Sequence, residues 1–130
     1  MFKKTITYTD YNDEERTEDF YFNLSKADIT KLQMSYPGGY ANLVKKYVAE
    51  KDAQGIYNVI EDIILRSYGE KSLDGKYFNK SEEMSKAFSH TEAFSELLIE
   101  LLSDEKKQEE FLYGILPASV AEEVRKMEDK

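Results

Sequence analysis

Apolar positions follow two periods along the chain, alternating near the N-terminus and recurring three or four residues apart from about residue 25 onward. Thr5, Ile6, Thr7 and Tyr8 are all β-prone, and so is the stretch from Arg16 to Leu24 with Phe20, Tyr21 and Phe22. Between them, Asp10-Tyr11-Asn12-Asp13 carries side chains that tolerate left-handed backbone and bond their own main chain, which predicts a β-hairpin. Three consecutive aromatics break the alternation. Either both faces of the second strand are partly covered or one ring is exposed. A lone ribbon is marginal in water, so the pair is expected to pack on helices.

At Ser25 the period becomes helical. Ser25 is a good N-cap with Asp28 three residues on, and Leu24, Ile29, Leu32 and Tyr36 form a stripe that Pro37-Gly38-Gly39 ends. A second helix is predicted from Tyr40 to about Glu50, with Leu43, Val44, Tyr47 and Val48 inward and Lys45, Lys46 and Lys51 outward. Asp52 caps a third, whose Ile56, Val59, Ile60, Ile63, Ile64 and Tyr68 lie on one face. Gly69 then falls where a left-handed C′ glycine belongs. Asp74-Gly75 marks a tight turn between short extended pieces ending at Tyr77 and Phe78.

Ser81 starts another helix with Met84, Ala87 and Phe88 on one side, and the capping-box spacing of Ser89 and Glu92 predicts a break and restart. From Thr91 to Leu102 one stripe holds Phe94, Leu97, Leu98, Leu101 and Leu102, opposite Glu92, Glu96 and Glu100. That stripe reads as core, with a groove or a self-association face as the alternative. Ser103 or Asp104 caps a helix with Phe111, Leu112, Ile115 and Leu116 on its apolar face, and Pro117 opens a last one. The fold class is therefore α+β, mostly α: an N-terminal β-hairpin followed by a bundle of six or seven short helices. A single domain over residues 1–130 is expected, with the hairpin in 1–24, the helical core in 25–116 and a C-terminal helix with a frayed charged tail in 117–130.

Composition removes whole classes of chemistry. With no cysteine and one histidine there is no thiolate nucleophile, no disulfide and no site needing two imidazoles. No apolar run approaches the ~18 residues of a membrane span, and Met1-Phe2-Lys3-Lys4 leads into no signal-like segment. The 26 acidic against 18 basic side chains, a net charge of −8, oppose binding to nucleic acid or to an anionic membrane.

The remaining candidates for chemistry have plainer readings. Asp10-Tyr11-Asn12-Asp13-Glu14 opens with calcium-loop spacing, but Glu15 stands where that loop needs glycine and Tyr21 where it needs a bidentate glutamate. No metal or other cofactor is expected. His90 lies at a helix junction beside Ser89, Thr91 and Glu92, and neighbours in sequence do not converge as a triad. Tyr36-Pro37-Gly38-Gly39-Tyr40 lacks the strand and the Gly-Lys-Ser/Thr of a phosphate loop and reads as a helix break whose tyrosines can serve recognition. Expected aromatic exposure makes Tyr36, Tyr40, Tyr47, Tyr77, Phe78, Phe111 and Tyr113 the candidate partner-binding residues.

The stretches KKTITYTDYN and ERTEDFYFNLSKAD, the central ILRSYGEKSLDGKYFNKSEEMSKAFSHTEAFSELLIELLSD and the late GILP together resemble the phage tail assembly chaperones of Gram-positive phages and prophages. The likeness runs over about residues 3–117 and is one of text, with no functional motif to transfer. It implies a non-enzymatic assembly factor that binds the tape measure protein, helps recruit the tail tube protein, works in the cytoplasm of the bacterial host and is absent from the mature virion. It also implies a short form and a longer frameshifted form, of which this chain is the short one. Two other classes stay in view: a structural head–tail or tail component, and an acidic inhibitor that binds a host protein.

Overall fold

The computed structural model describes residues 1–35, 42, 45–46, 49 and 52–128. Strands β1 (Phe2–Thr9) and β2 (Glu15–Phe22) form the expected hairpin, in the register Phe2↔Phe22 through Thr9↔Glu15. The turn is held by Asp10. Its carboxylate accepts from the backbone N–H of Asn12 and Glu14, and Asp13 takes the left-handed φ of 61° that the sequence provides for. Phe2, Lys4, Ile6 and Tyr8 point inward from β1, while Lys3, Thr5, Thr7 and Thr9 face solvent. On β2 both faces are partly covered: Phe20 is half-buried and Phe22 fully buried on the core side, and Tyr21 is half-buried on the other.

A second hairpin extends this sheet. β3 (Tyr68–Lys71) pairs antiparallel with β2 through Tyr21↔Gly69 and Phe22↔Tyr68, and β4 (Phe78–Asn79) pairs with β3, giving the order β1-β2-β3-β4. The extended pieces beside Asp74-Gly75 are thus the outer half of a four-stranded sheet. Gly75 has φ 75°, and Ser72, through backbone and hydroxyl, ties the turn to Tyr77.

Hydrogen-bond parity follows from the register. The Asp10 N–H donates to the Glu14 carbonyl, so this pair exchanges ladder bonds and so does every second pair back along β1. The main-chain groups of Lys4, Ile6 and Tyr8 therefore point at β2, and those of Lys3, Thr5, Thr7 and Thr9 point away from it. Among the described residues no hydrogen bond reaches those outward groups.

Six helices lie among the described residues: α1 (Lys26–Ser35), α2 (Ala53–Ser67), α3 (Glu82–Ser89), α4 (Glu92–Ser103), α5 (Glu105–Gly114) and α6 (Ala118–Glu128). Ser25 and Asp28 make a reciprocal cap on α1, each side chain accepting from the other's backbone N–H. Asp52, Ser81 and Asp104 cap α2, α3 and α5. Of the helix predicted over Tyr40–Glu50, Asn42, Lys45, Lys46 and Ala49 are described and are helical and exposed, and the rest lies outside the described residues.

Three local expectations are corrected. The restart after α3 is capped by Thr91, which accepts from the Phe94 N–H, while the Ser89 hydroxyl donates back to the Lys86 carbonyl. Ala87 and Leu102, expected inside, are exposed. Gly69 is not a left-handed cap: α2 ends in the extended residue Tyr68, and Gly69 sits within β3. A methyl group there would stand 2.6 Å from the Phe78 ring, 2.8 Å from the Asn79 carbonyl oxygen and 2.9 Å from Lys80 Cγ. Glycine is required because β4 and its side chains lie against the backbone.

The core joins sheet and helices through rings. Phe22 and Phe111, neither with any exposure, meet edge-on at 5.3 Å, Phe2 packs on Phe111 at 5.2 Å, and Tyr68 stacks on Phe88 at 4.1 Å. Ile60, Ile63, Ile64, Leu97 and Ile115 fill the space around them. The Asn23 N–H donates to Ser67 and the Leu24 N–H to Ile115, so the exit of β2 is fastened to the C-terminal ends of α2 and α5.

Candidate interaction surface

The aromatic residues expected to meet a partner divide sharply. Tyr36, Tyr40 and Tyr47 lie outside the described residues. Phe111 is wholly buried and Tyr113 is buried to 9% exposure, which corrects the expectation of surface rings on α5: every position from 111 to 115 at the end of this helix is buried or half-buried. Phe78 is half-buried, its ring lying over Gly69. Tyr77 is exposed.

Tyr77 has a neighbour that aromatic counting missed. Leu73, in the same tight turn, is fully exposed, and Lys76 Nζ stands 5.5 Å from the Tyr77 ring centroid. A leucine between Ser72 and Asp74-Gly75 cannot turn inward, so its exposure was legible from the turn signal alone. Ile99, 63% exposed, and Leu102 form a second apolar pair on the solvent side of α4. Ile99 falls two residues past Leu97, off the core stripe, and the three-residue step to Leu102 puts the two side by side. Met34, Tyr11 and Tyr57 are exposed singly, and Tyr11 and Tyr57 donate to Glu92 and Glu61.

The charged groups around this surface serve the fold. Lys80 Nζ donates to the Asn23 carbonyl at 2.8 Å, to Asp28 Oδ2 at 2.8 Å and to the Arg66 carbonyl at 3.2 Å, gathering β2, α1 and α2 at one point. Partial burial pushes the Asp28 carboxyl up, but the Lys80 ammonium and the bonds from Ser25 outweigh it and hold it below its ordinary value. Glu100 bridges Lys4 at 2.7 Å and Lys107 at 3.0 Å, and the two cations likewise overcome its burial and lower it. The Tyr8 hydroxyl donates to Glu18, and that bond, with burial and the Glu18 charge behind it, pushes the phenol up to about 12. Asp10 is lowered by Arg16, whose guanidinium lies 2.6 Å away, and by the turn amides.

His90 is exposed and ends α3, its backbone N–H bonding to Ala87 and Phe88. Among the described residues no three His, Asp or Glu side chains are grouped to hold a metal ion, and no helix is long and apolar enough to cross a membrane. What the arrangement offers is surface. The α+β body carries apolar side chains exposed at a hairpin tip and on one flank of α4, in a chain of net charge −8.

The family model of the phage tail assembly chaperones matches residues 1–130, the whole chain, and the protein belongs to that family. No curated protein and no solved structure matches it.

Proposed function

We propose that this chain binds the tape measure protein during tail morphogenesis and shields its apolar helical segments until the tail tube protein is added. Membership of the family supports a chaperone role in tail assembly. The observation that carries the site is the hairpin tip: the side chains of Leu73 and Tyr77 project into solvent from a turn closed by the Tyr77 main chain and Ser72. The turn's hydrogen bonds already fix the backbone that carries these side chains, so burying them against a partner costs their rotamer freedom but no ordering of the loop. Ile99 and Leu102 supply a second contact of the same kind. The net charge of −8 keeps the complex in solution while its apolar surfaces are occupied. On this reading the protein carries out no catalysis, acts in the cytoplasm of the bacterial host and leaves before the virion is complete.

Co-expression with the tape measure protein followed by affinity capture tests it. The wild-type chain should retain the tape measure protein, and a Leu73→Ser/Tyr77→Ser variant with an unchanged circular dichroism spectrum should retain about tenfold less, the loss of two apolar anchors. A folded wild-type chain that captures none would refute the reading. Capture undiminished in the double variant would remove the hairpin tip from the site.

A further inference from the structure

The β1 edge is the feature that the functional reading leaves unused. It is eight residues long, terminal in the sheet, free of proline and bulges, and rich in threonine. Proteins commonly blunt such an edge with an unpaired inward charge, but the one inward lysine, Lys4, is neutralised by Glu100 at 2.7 Å. The outward main-chain groups belong to Lys3, Thr5, Thr7 and Thr9, whose side chains are all exposed.

We propose that two copies of this chain join through their β1 strands, antiparallel about a two-fold axis at Ile6, into one continuous sheet. Charge selects this occupant. β1 begins with Lys3, only loosely paired with Asp19 at 3.5 Å, and runs into a turn holding Asp13 and Glu14, so antiparallel pairing sets each basic start near the other copy's acidic turn. Parallel pairing would set the lysines against their own counterparts. The parity also closes. About Ile6, Lys3 lies opposite the second copy's Thr9 and Thr5 opposite its Thr7, so every outward-facing residue meets another outward-facing one and can exchange both ladder bonds. On the core face Ile6 meets Ile6 and Lys4 meets Tyr8, with no like charges opposed. Glu15, Thr17 and Asp19 on β2 extend beyond the β3 pairing, but two copies of that stretch would bring carboxylates together. This inference does not depend on the tape measure reading.

Amide hydrogen exchange read residue by residue, with mass by light scattering over a concentration series of the full chain, tests it. A free edge protects Lys4, Ile6 and Tyr8 and leaves Thr5 and Thr7 in fast exchange. In the dimer Thr5 and Thr7 become protected as concentration rises, and the mass doubles from 15.1 kDa. Thr7→Pro removes an outward N–H without breaking a main-chain β1–β2 bond, losing only the exposed hydroxyl contact with Thr17, and should halve the mass of the dimer while the circular dichroism spectrum is kept. A wild-type chain that stays monomeric, or Thr5 and Thr7 unprotected in a dimer, overturns the proposal, as does a folded Thr7→Pro variant that remains dimeric. Protection of Thr17 with a mass that grows past the dimer signifies head-to-tail joining and overturns the two-fold arrangement. Should Thr7→Pro fail to fold, the exchange pattern of the wild-type chain decides alone.

Discussion

Replacing Gly69 with alanine puts a methyl carbon within 3.0 Å of three atoms: the Phe78 ring, the Asn79 carbonyl oxygen and Lys80 Cγ. The Lys80 stem can shift and the Phe78 ring can tilt, but the Asn79 carbonyl is part of the β3–β4 pairing through Glu70↔Asn79. Relieving that contact means moving β4 by several tenths of an ångström. Overpacking of this kind costs about 1–3 kcal/mol, and a backbone neighbour that cannot rotate away puts the expected loss near the upper end. In urea unfolding, Gly69→Ala should therefore lose about 2–3 kcal/mol, and the Asn79 region should exchange its amides faster. The cause separates in a double-mutant cycle. In a Phe78→Ala background the same substitution should cost about 1 kcal/mol less, because the ring is gone while the carbonyl remains. A loss under about 0.5 kcal/mol would refute close approach as the reason for glycine here, and the same loss with and without the ring would assign the whole cost to the Asn79 and Lys80 contacts.

Lys80→Met leaves the Asn23 and Arg66 carbonyls and the Asp28 carboxylate without their shared donor, and since water reaches both ends of the pair the loss should be about 1–2 kcal/mol in urea unfolding at neutral pH. Asp28 is lowered in the folded state, so its contribution is present above the unfolded value of about 3.9 and is lost as pH falls through the folded one; the variant's stability should accordingly fall less steeply than the wild type's below about pH 4. Tyr8 runs the other way, because its folded value is raised to about 12: the stability it adds is complete below its unfolded value of about 10 and disappears as pH rises toward 12. A phenolate absorbance titration of the ten tyrosines should show a late step that Tyr8→Phe removes.

The hairpin, the Ser25–Asp28 cap, the caps at Asp52, Ser81 and Asp104, and the apolar faces of α2 and α4 were all legible in the sequence, because each depends on residues within one turn or one strand of each other. The absence of cysteine and the single histidine also determined, without any coordinates, which chemistries the chain cannot perform. Only the tertiary structure decided where residues 68–79 go. Short extended pieces carry no record of their partner, and it is the packing of Tyr68 on Phe88 and the fastening of Asn23 to Ser67 that lay β3 along β2. The same distance in sequence explains Gly69, whose neighbours Phe78, Asn79 and Lys80 arrive from the far side of a turn, and Phe111, which the periodicity puts on an apolar face but which only Phe2 and Phe22, closing over it, make core rather than partner surface. Periodicity fixes which side of an element is apolar. Whether that side meets the core, a partner or a second copy depends on contacts made across the chain, and these exist only once the fold has formed.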